Sequence, residues 1–381
     1  MTPVSTPAAY SFVRNPIRFE FTTDSGVMRI FNIAFGTETF AISVHPYKIG
    51  PTTWKLSFDI SDLLANLVCL KYDATLTHQI NLPDFVNSYT VTEAVSAYSF
   101  IAKVISGGLS DDFITFLSQQ ETNPFDYRFL NPRSNWILTT RTDEDVITMS
   151  RNELTALFFL CPTDSPISII TEHSDELIIS SSIGTACMIN VPEWLDALTS
   201  GLVTKLYFKI DGETIIQIKI TDKFNEESYL IKFKNSLGVY EFLEVTGKAT
   251  ESSQSGDESS YDRFNSVTNK LQKTRNRVPK NGVIEVETGY KSTSDLMFID
   301  DLTSSDEITF INGNLAQECL VTSDRKNLLL KSTPESILLK IEFVNKSPYY
   351  SPFGKFNKNF LLKDDNGNQI VTDKNQNIYA L

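Results

Sequence analysis

Three histidines in 381 residues are a thin supply for proton transfer or metal binding. His45 precedes Pro46, and His78 lies in a mixed Thr77-His78-Gln79 stretch. Only His173, in Thr171-Glu172-His173-Ser174-Asp175, has a serine and an aspartate at hand. Adjacency is not a triad, because nucleophile, base and orienting acid are defined by geometry and usually arrive from separate segments. With no Gly-x-Ser-x-Gly elbow to expose a serine, the cluster reads as a turn. Asp364-Asp365-Asn366-Gly367-Asn368 has calcium-loving residue types, but its glycine comes too early for an EF-hand loop and no glutamate closes it, so a hairpin turn is expected. The acidic set Asp295, Asp300, Asp301 and Asp306 surrounds Leu296-Met297-Phe298-Ile299, which predicts a helix with one wet and one apolar face.

Cys69, Cys161, Cys187 and Cys319 are dispersed among apolar neighbours, without the short spacing of a zinc knuckle or redox pair, and are expected as buried free thiols. Phosphate-cradling glycine loops are absent, and no cofactor is expected. Carboxylates are plentiful, but a glycosidase-like pair is a separation between side chains that sequence cannot test. The net charge of −13 disfavours nucleic acid, which needs clustered Lys and Arg. The exception is local: Arg263, Lys270, Lys273, Arg275, Arg277 and Lys280 follow one another without an intervening acid, as a solvated strand face or a contact for an acidic partner surface or nucleic acid. No apolar run is long enough for a membrane-spanning helix or resembles a secretory signal, so neither membrane nor export is expected.

The elements that must position these residues are mostly strands. Ile17-Arg18-Phe19-Glu20-Phe21, Lys55 to Ile60 and Leu206 to Ile210 alternate with a period of two, the pattern of half-buried strands. Asp211-Gly212 between Val203–Ile210 and Thr214–Ile220 predicts a tight hairpin, and Asn366-Gly367 predicts another between Phe360–Leu362 and Gln369–Val371. Four short helices are expected: after Ser61-Asp62, after Ser110-Asp111-Asp112, from Pro192-Glu193 to Leu198, and over Ser292 to Leu302. The fold class is mainly β, as tandem β-sandwich-like domains with a few short connecting helices. Length favours several domains: 1–91, 92–250 with short helices, a Ser-rich acidic linker or loop at 251–262, 263–350, and a polar C-terminal arm at 351–381.

Several phrases together carry a resemblance. Phe12-Val13-Arg14-Asn15-Pro16-Ile17, Phe58-Asp59-Ile60-Ser61-Asp62-Leu63-Leu64, Gly107-Gly108-Leu109-Ser110, Arg128 to Arg133, Phe233 to Glu241 with Thr246-Gly247-Lys248, Glu287-Thr288-Gly289-Tyr290 and Asp300 to Ser305 span nearly the whole chain. In that order they resemble uncharacterised multi-domain β proteins of gut Bacteroidota and their phages or prophages. The resemblance implies a virion or tail-associated structural protein and carries no known activity. From the residues themselves, Asn235-Ser236-Leu237-Gly238 should reverse the chain, with Tyr240 and Phe242 packing on one side. Arg14-Asn15-Pro16 should pin the start of a strand through a side-chain hydrogen bond and a fixed φ.

The leading expectation is therefore a non-catalytic assembly protein, plausible as a phage tail or baseplate component. It would be made in the cytoplasm and then incorporated into a particle, with homo-oligomeric contacts and other virion proteins as partners. A carbohydrate- or surface-binding module is the alternative, with Trp54, Trp136, Tyr349 and Tyr350 as stacking platforms. A hydrolase with an unrecognised carboxylate pair is the third.

Overall fold

The computed structural model describes residues 1–68, 79–80, 86–120, 137–141, 146–161, 166–179, 186–198, 201–210, 212–221, 228–246, 249–255, 260–275, 280–291, 293–312, 315–323, 335–344, 362–363, 369–372 and 378–380. Strands dominate them, in several separate sheets that make tandem sandwich-like units, joined by four short helices among the described residues.

In the first unit, Thr2–Ser5, Arg18–Thr23, Trp54–Asp59 and Tyr47–Lys48 form one sheet. Tyr10–Phe12, Ser99–Ile105, Val86–Glu93, Arg29–Phe35 and Glu38–Val44 form the other. The expected alternation holds in Arg18–Thr23, where Phe19, Phe21 and Thr23 are buried and Arg18 is exposed. Aromatic rings join the two layers: Phe31 lies 4.5 Å from Phe58 and 5.4 Å from Phe21. Each ring so buried is worth about 1.5–3 kcal/mol. Pairing continues past the segment end expected at residue 91, because Val86–Glu93 runs through it and bonds to Ser99–Ile105.

The second unit lays Val146–Ser150, Glu213–Thr221, Lys205–Ile210, Ile167–Thr171 and Glu176–Ile179 over a smaller sheet of Ala156–Leu160, Ala186–Asn190 and Gln79–Ile80. The expected hairpin is there, Lys205–Ile210 pairing antiparallel with Glu213–Thr221. Ala156–Leu160 does not alternate because both its faces are covered. Leu157 and Phe159 enter this unit's core, whereas Phe158 and Leu160 enter another with Phe12, Ile105, Leu138, Leu237 and Val239.

The third unit is a seven-stranded sheet in the order Tyr240–Val245, Tyr229–Lys234, Ile308–Asn312, Leu315–Ser323, Glu335–Phe343, Lys280–Lys291, Ala249–Ser255. Its two outermost strands are neighbours in sequence. Six inter-strand spacings of about 4.8 Å would separate them by roughly 29 Å in a flat sheet, yet Val245 and Ala249 are only four residues apart, a reach of at most about 14 Å. The sheet must therefore curl on itself. Its concave side holds the helix Thr293–Ser304, whose Leu296, Phe298, Ile299 and Leu302 join Phe233, Phe310 and Leu339 while Met297 faces solvent.

Helices stand at all four expected places, Ser61–Ala65, Asp111–Gln119, Val191–Asp196 and Thr293–Ser304, although the first is preceded by Ile60 and has no side-chain cap. The Ser110 hydroxyl accepts from Phe113 N, and the Asn190 side chain accepts from Glu193 N with Pro192 in the first turn.

The Ser-rich stretch expected as a linker differs. Ala249–Ser255 is a strand, paired from Ala249↔Val286 to Ser255↔Lys280. An edge strand has one neighbour and is held by its backbone bonds, so polar side chains do not exclude it. Beyond it, Ser260–Asn265 pairs with Lys270–Arg275 from Ser260↔Arg275 to Asn265↔Lys270. Both pairs keep one antiparallel register, and Ser260–Arg275 forms a two-stranded ribbon. Near the C-terminus Leu362–Lys363 pairs with Gln369–Thr372, as expected, and Ile378–Ala380 adds a third strand.

Candidate functional site

Four of the phrases that carry the resemblance, Phe12–Ile17, Gly107–Ser110, Phe233–Glu241 and Asp300–Ser305, converge where the units meet, while Arg128–Arg133 lies outside the described residues. Arg14 and Asn15 follow the Tyr10–Phe12 strand of one unit, Gly107 to Leu109 follow its last, and Asn235 to Gly238 turn the chain in another. Asn15 is buried, donating from Nδ2 to Leu109 O at 2.8 Å and accepting Leu109 N on Oδ1 at 3.0 Å. The expected side-chain hydrogen bond is thus present but spans the fold instead of closing a local turn. Exposed Pro16 lies two residues before the next strand, Arg18–Thr23. Arg14 reaches Asp306 at 2.7 Å, and although burial works upward on the Asp306 carboxyl, Arg14 holds it below the usual range.

The Asn235 turn is as read, and more. Gly238 N donates to Asn235 O at 2.8 Å and Val239 N to Asn235 Oδ1 at 3.1 Å, while Asn235 Nδ2 donates outward to Leu138 O and Glu241 Oε2. Gly238 has φ +83°, and a Cβ there would overlap the Ser106 side chain and lie 2.8 Å from Gly107 N. Gly107, at φ +92°, would place a Cβ within the Leu237 backbone. Two backbones approach this closely only because neither position carries a side chain; Gly108 N then donates to Ser236 O at 2.7 Å. The Tyr240 hydroxyl donates to Glu307 at 2.6 Å, with the Lys232 ammonium 4.7 Å from its ring.

Beneath this contact lies a buried ionic centre. Ile137 bridges to Phe159, and the extended residues after it bring Thr139, Thr140 and Arg141 under the Tyr240–Val245 strand. Arg141 is 3% exposed. Its Nη2 donates to Phe242 O, its Nη1 lies 3.5 Å from Glu153 and its Nε 3.9 Å from Glu241, and its guanidinium stands 4.0 Å from the Phe298 ring. Glu153 also accepts Ser150 N at 2.9 Å and Glu244 N at 2.8 Å, with Lys291 at 3.7 Å. Burial drives the Glu153 carboxyl upward, but Arg141, Lys291 and the two amides outweigh it and hold it below the ordinary glutamate range. Glu241 accepts Thr139 Oγ1 at 2.6 Å, Thr140 N at 3.1 Å and Asn235 at 2.7 Å. Burial nonetheless pushes its carboxyl up, against Arg141 and these donors. Asp301, on the last helix, accepts Ser236 N at 2.9 Å and Thr140 Oγ1 at 3.0 Å, and burial raises it too.

The cavity beside Arg141, Glu153 and Glu241 has a volume of about 20 Å³, room for a single water. These carboxylates face one arginine, not an open cleft, so no sugar ring fits between them. The charges are spent on one another and on backbone amides. The centre welds the units together.

Among the other sequence candidates, the Thr171–Asp175 segment is a turn, with Thr171 donating to Asp175 at 2.9 Å and His173 Nε2 at 3.2 Å from Leu202 O. Trp54 is half-buried, with its ring so close to Gly26 that a Cβ there would lie 2.8 Å from it, and with Lys48 5.8 Å from the ring centroid. Trp136, Tyr349, Tyr350 and the Asp364–Asn368 cluster lie outside the described residues. Cys161, Cys187 and Cys319 are buried thiols, with Cys161 Sγ 3.4 Å from Cys187 Sγ, and Cys69 lies outside the described residues. Sequence reasoning did not single out Arg141, Glu153, Glu244 or Lys291. One signal was present: Glu241 shares strand parity with Leu243 and Val245, and Glu244 with Tyr240 and Phe242, so each apolar face carries a glutamate.

The ribbon is the opposite kind of site. Ser260 to Phe264 and Ser266 to Lys273 are all exposed, including Tyr261 at 48%, Phe264 at 57%, Val267 at 92% and Leu271 at 68%. Its tip is ordered by Asn265, whose Oδ1 accepts Val267 N at 2.9 Å and Thr268 N at 3.3 Å. Arg263, Lys270 and Lys273 of the basic run stand on it.

Fold and site together define a mainly β chain of joined sandwich-like units with a buried ionic centre and a projecting ribbon. No protein-family model matches the chain, and a search of curated proteins finds no match either.

Proposed function

We propose that this chain is a non-catalytic structural protein that works by assembling with other copies, and that the phage tail or baseplate component implied by the sequence resemblance is its specific form. The observation that carries the reading is the ribbon, which holds Phe264 and Leu271 opposite each other in water. A two-stranded ribbon has little stability alone, and apolar side chains at its end gain free energy only when something covers them. The ionic centre fits the same role, since it fixes the units in one arrangement and gives the ribbon a rigid base.

The test is sedimentation velocity over a wide concentration range, with mass spectrometry of purified particles from the source cells. Concentration-dependent assembly and recovery of the chain from particles are expected. A monomer at high concentration that is also missing from particles refutes the reading.

A further inference from the structure

We propose that the ribbon tip docks onto the acidic body of a second copy of this chain, an inference that rests on the assembly role above and names its contact. The ribbon, residues 260–275, carries Arg263, Lys270, Lys273 and Arg275 against the single acid Asp262, in a chain of net charge −13, so everything outside it carries −16. A positive arm on a strongly negative body repels its like and meets its complement on the neighbouring copy. A polyanion such as nucleic acid would meet the same arm but also the repulsion of the body behind it.

The contact has the layout of an interface. Phe264 and Leu271 are a cross-strand pair, and Val267 stands at the turn, giving an apolar centre. Lys273 shares that face with Asp262 opposite it, and Arg263 and Lys270 stand on the ribbon's other face, so cations border the apolar tip on both sides. The tip is formed beforehand by the Asn265 bonds to Val267 and Thr268, and by Asn265 Nδ2 donating to Gln272 at 2.9 Å, so docking need not order it.

The test uses the full chain. Wild type, Arg263→Glu/Lys270→Glu/Lys273→Glu and Phe264→Ser/Leu271→Ser are compared by sedimentation velocity at low and high salt. Thermal melting checks folding, which these exposed positions should leave unchanged. Each variant is expected to weaken self-association about tenfold or more, and added salt should weaken the wild type. A photo-crosslinker at position 267, in a mixture of isotopically light and heavy chains, should join light to heavy at a peptide rich in Asp and Glu. Wild-type assembly that both variants leave untouched, or crosslinks confined within one chain, overturns the ribbon's part and leaves the assembly role standing. A wild-type chain that never self-associates overturns both. Salt-sensitive binding of a labelled DNA duplex, lost on charge reversal while self-association persists, overturns it in favour of nucleic acid.

Discussion

Replacing Arg141 by methionine removes the cation of the buried centre while keeping most of its volume. Phe242 O loses a charged donor, worth about 1.5–3 kcal/mol. Glu241 loses its cation, whereas Glu153 keeps Lys291 at 3.7 Å and the amides of Ser150 and Glu244. Breaking a buried pair in this way costs about 3–5 kcal/mol, borne mainly by Glu241. The pH dependence follows from the directions of the two carboxyls. Glu241 is raised in the folded chain, so its contribution is full below the ordinary glutamate range and is lost as pH rises through its folded value. Without Arg141 it moves further up, so the penalty is greater at higher pH and shrinks as the group takes a proton. Glu153 is lowered, so its contribution is present above the ordinary range and lost as pH falls through its folded value, but its remaining partners persist in the variant. Urea unfolding followed by circular dichroism at pH 7 and pH 5 should therefore show a gap between wild type and variant that narrows at pH 5. Adding Glu241→Gln to the variant should recover part of the loss at pH 7. A cost under about 1 kcal/mol, or one that grows as the pH falls, refutes the account.

Three further outcomes can be measured. Gly238→Ala should destabilise far more than Gly212→Ala, because both glycines have positive φ but a Cβ at Gly238 meets Ser106 and Gly107 while none lies within 4 Å at Gly212; the latter should cost about 1–2 kcal/mol in denaturant titration. Tyr89→Phe should raise the melting temperature, since the Tyr89 hydroxyl is buried without a partner and such a group costs about 1–3 kcal/mol; a lower melting temperature would mean that it is satisfied. Iodoacetamide labelling with peptide mapping should leave Cys161, Cys187 and Cys319 unmodified in the native chain and modify them in urea, Cys319 also being pushed up to about 12 by burial.

What was legible in the sequence was whatever depends on near neighbours. Phe19 and Phe21 two apart, Ser110 three before Phe113, and Asp-Gly between two alternating runs each predict an element through contacts a few residues long, and each element is there. Ala156–Leu160 carries no period because neighbours cover both its faces, and Ala249–Ser255 carries no apolar signal because backbone pairing holds it. The ionic centre was hidden for a related reason. Arg141 and Phe242 are 101 residues apart, and a buried arginine reads in sequence like a solvated one.

The resemblance phrases gain a physical meaning from this geometry. Arg14-Asn15 and Gly107-Gly108 belong to the first unit and Asn235 to Glu241 and Asp300 to Ser305 to the third, yet each supplies a donor, an acceptor or a missing side chain to the same contact. A turn that only reversed the chain would accept many sequences. The turn at Asn235 must also present Asn235 Nδ2 to Leu138 O, Ser236 N to Asp301 and a bare Gly238 to Ser106, and few residue combinations do all three. The junction thus depends on particular side chains meeting across the fold, whereas the ribbon tip, exposed and closed by its own Asn265 bonds, does not.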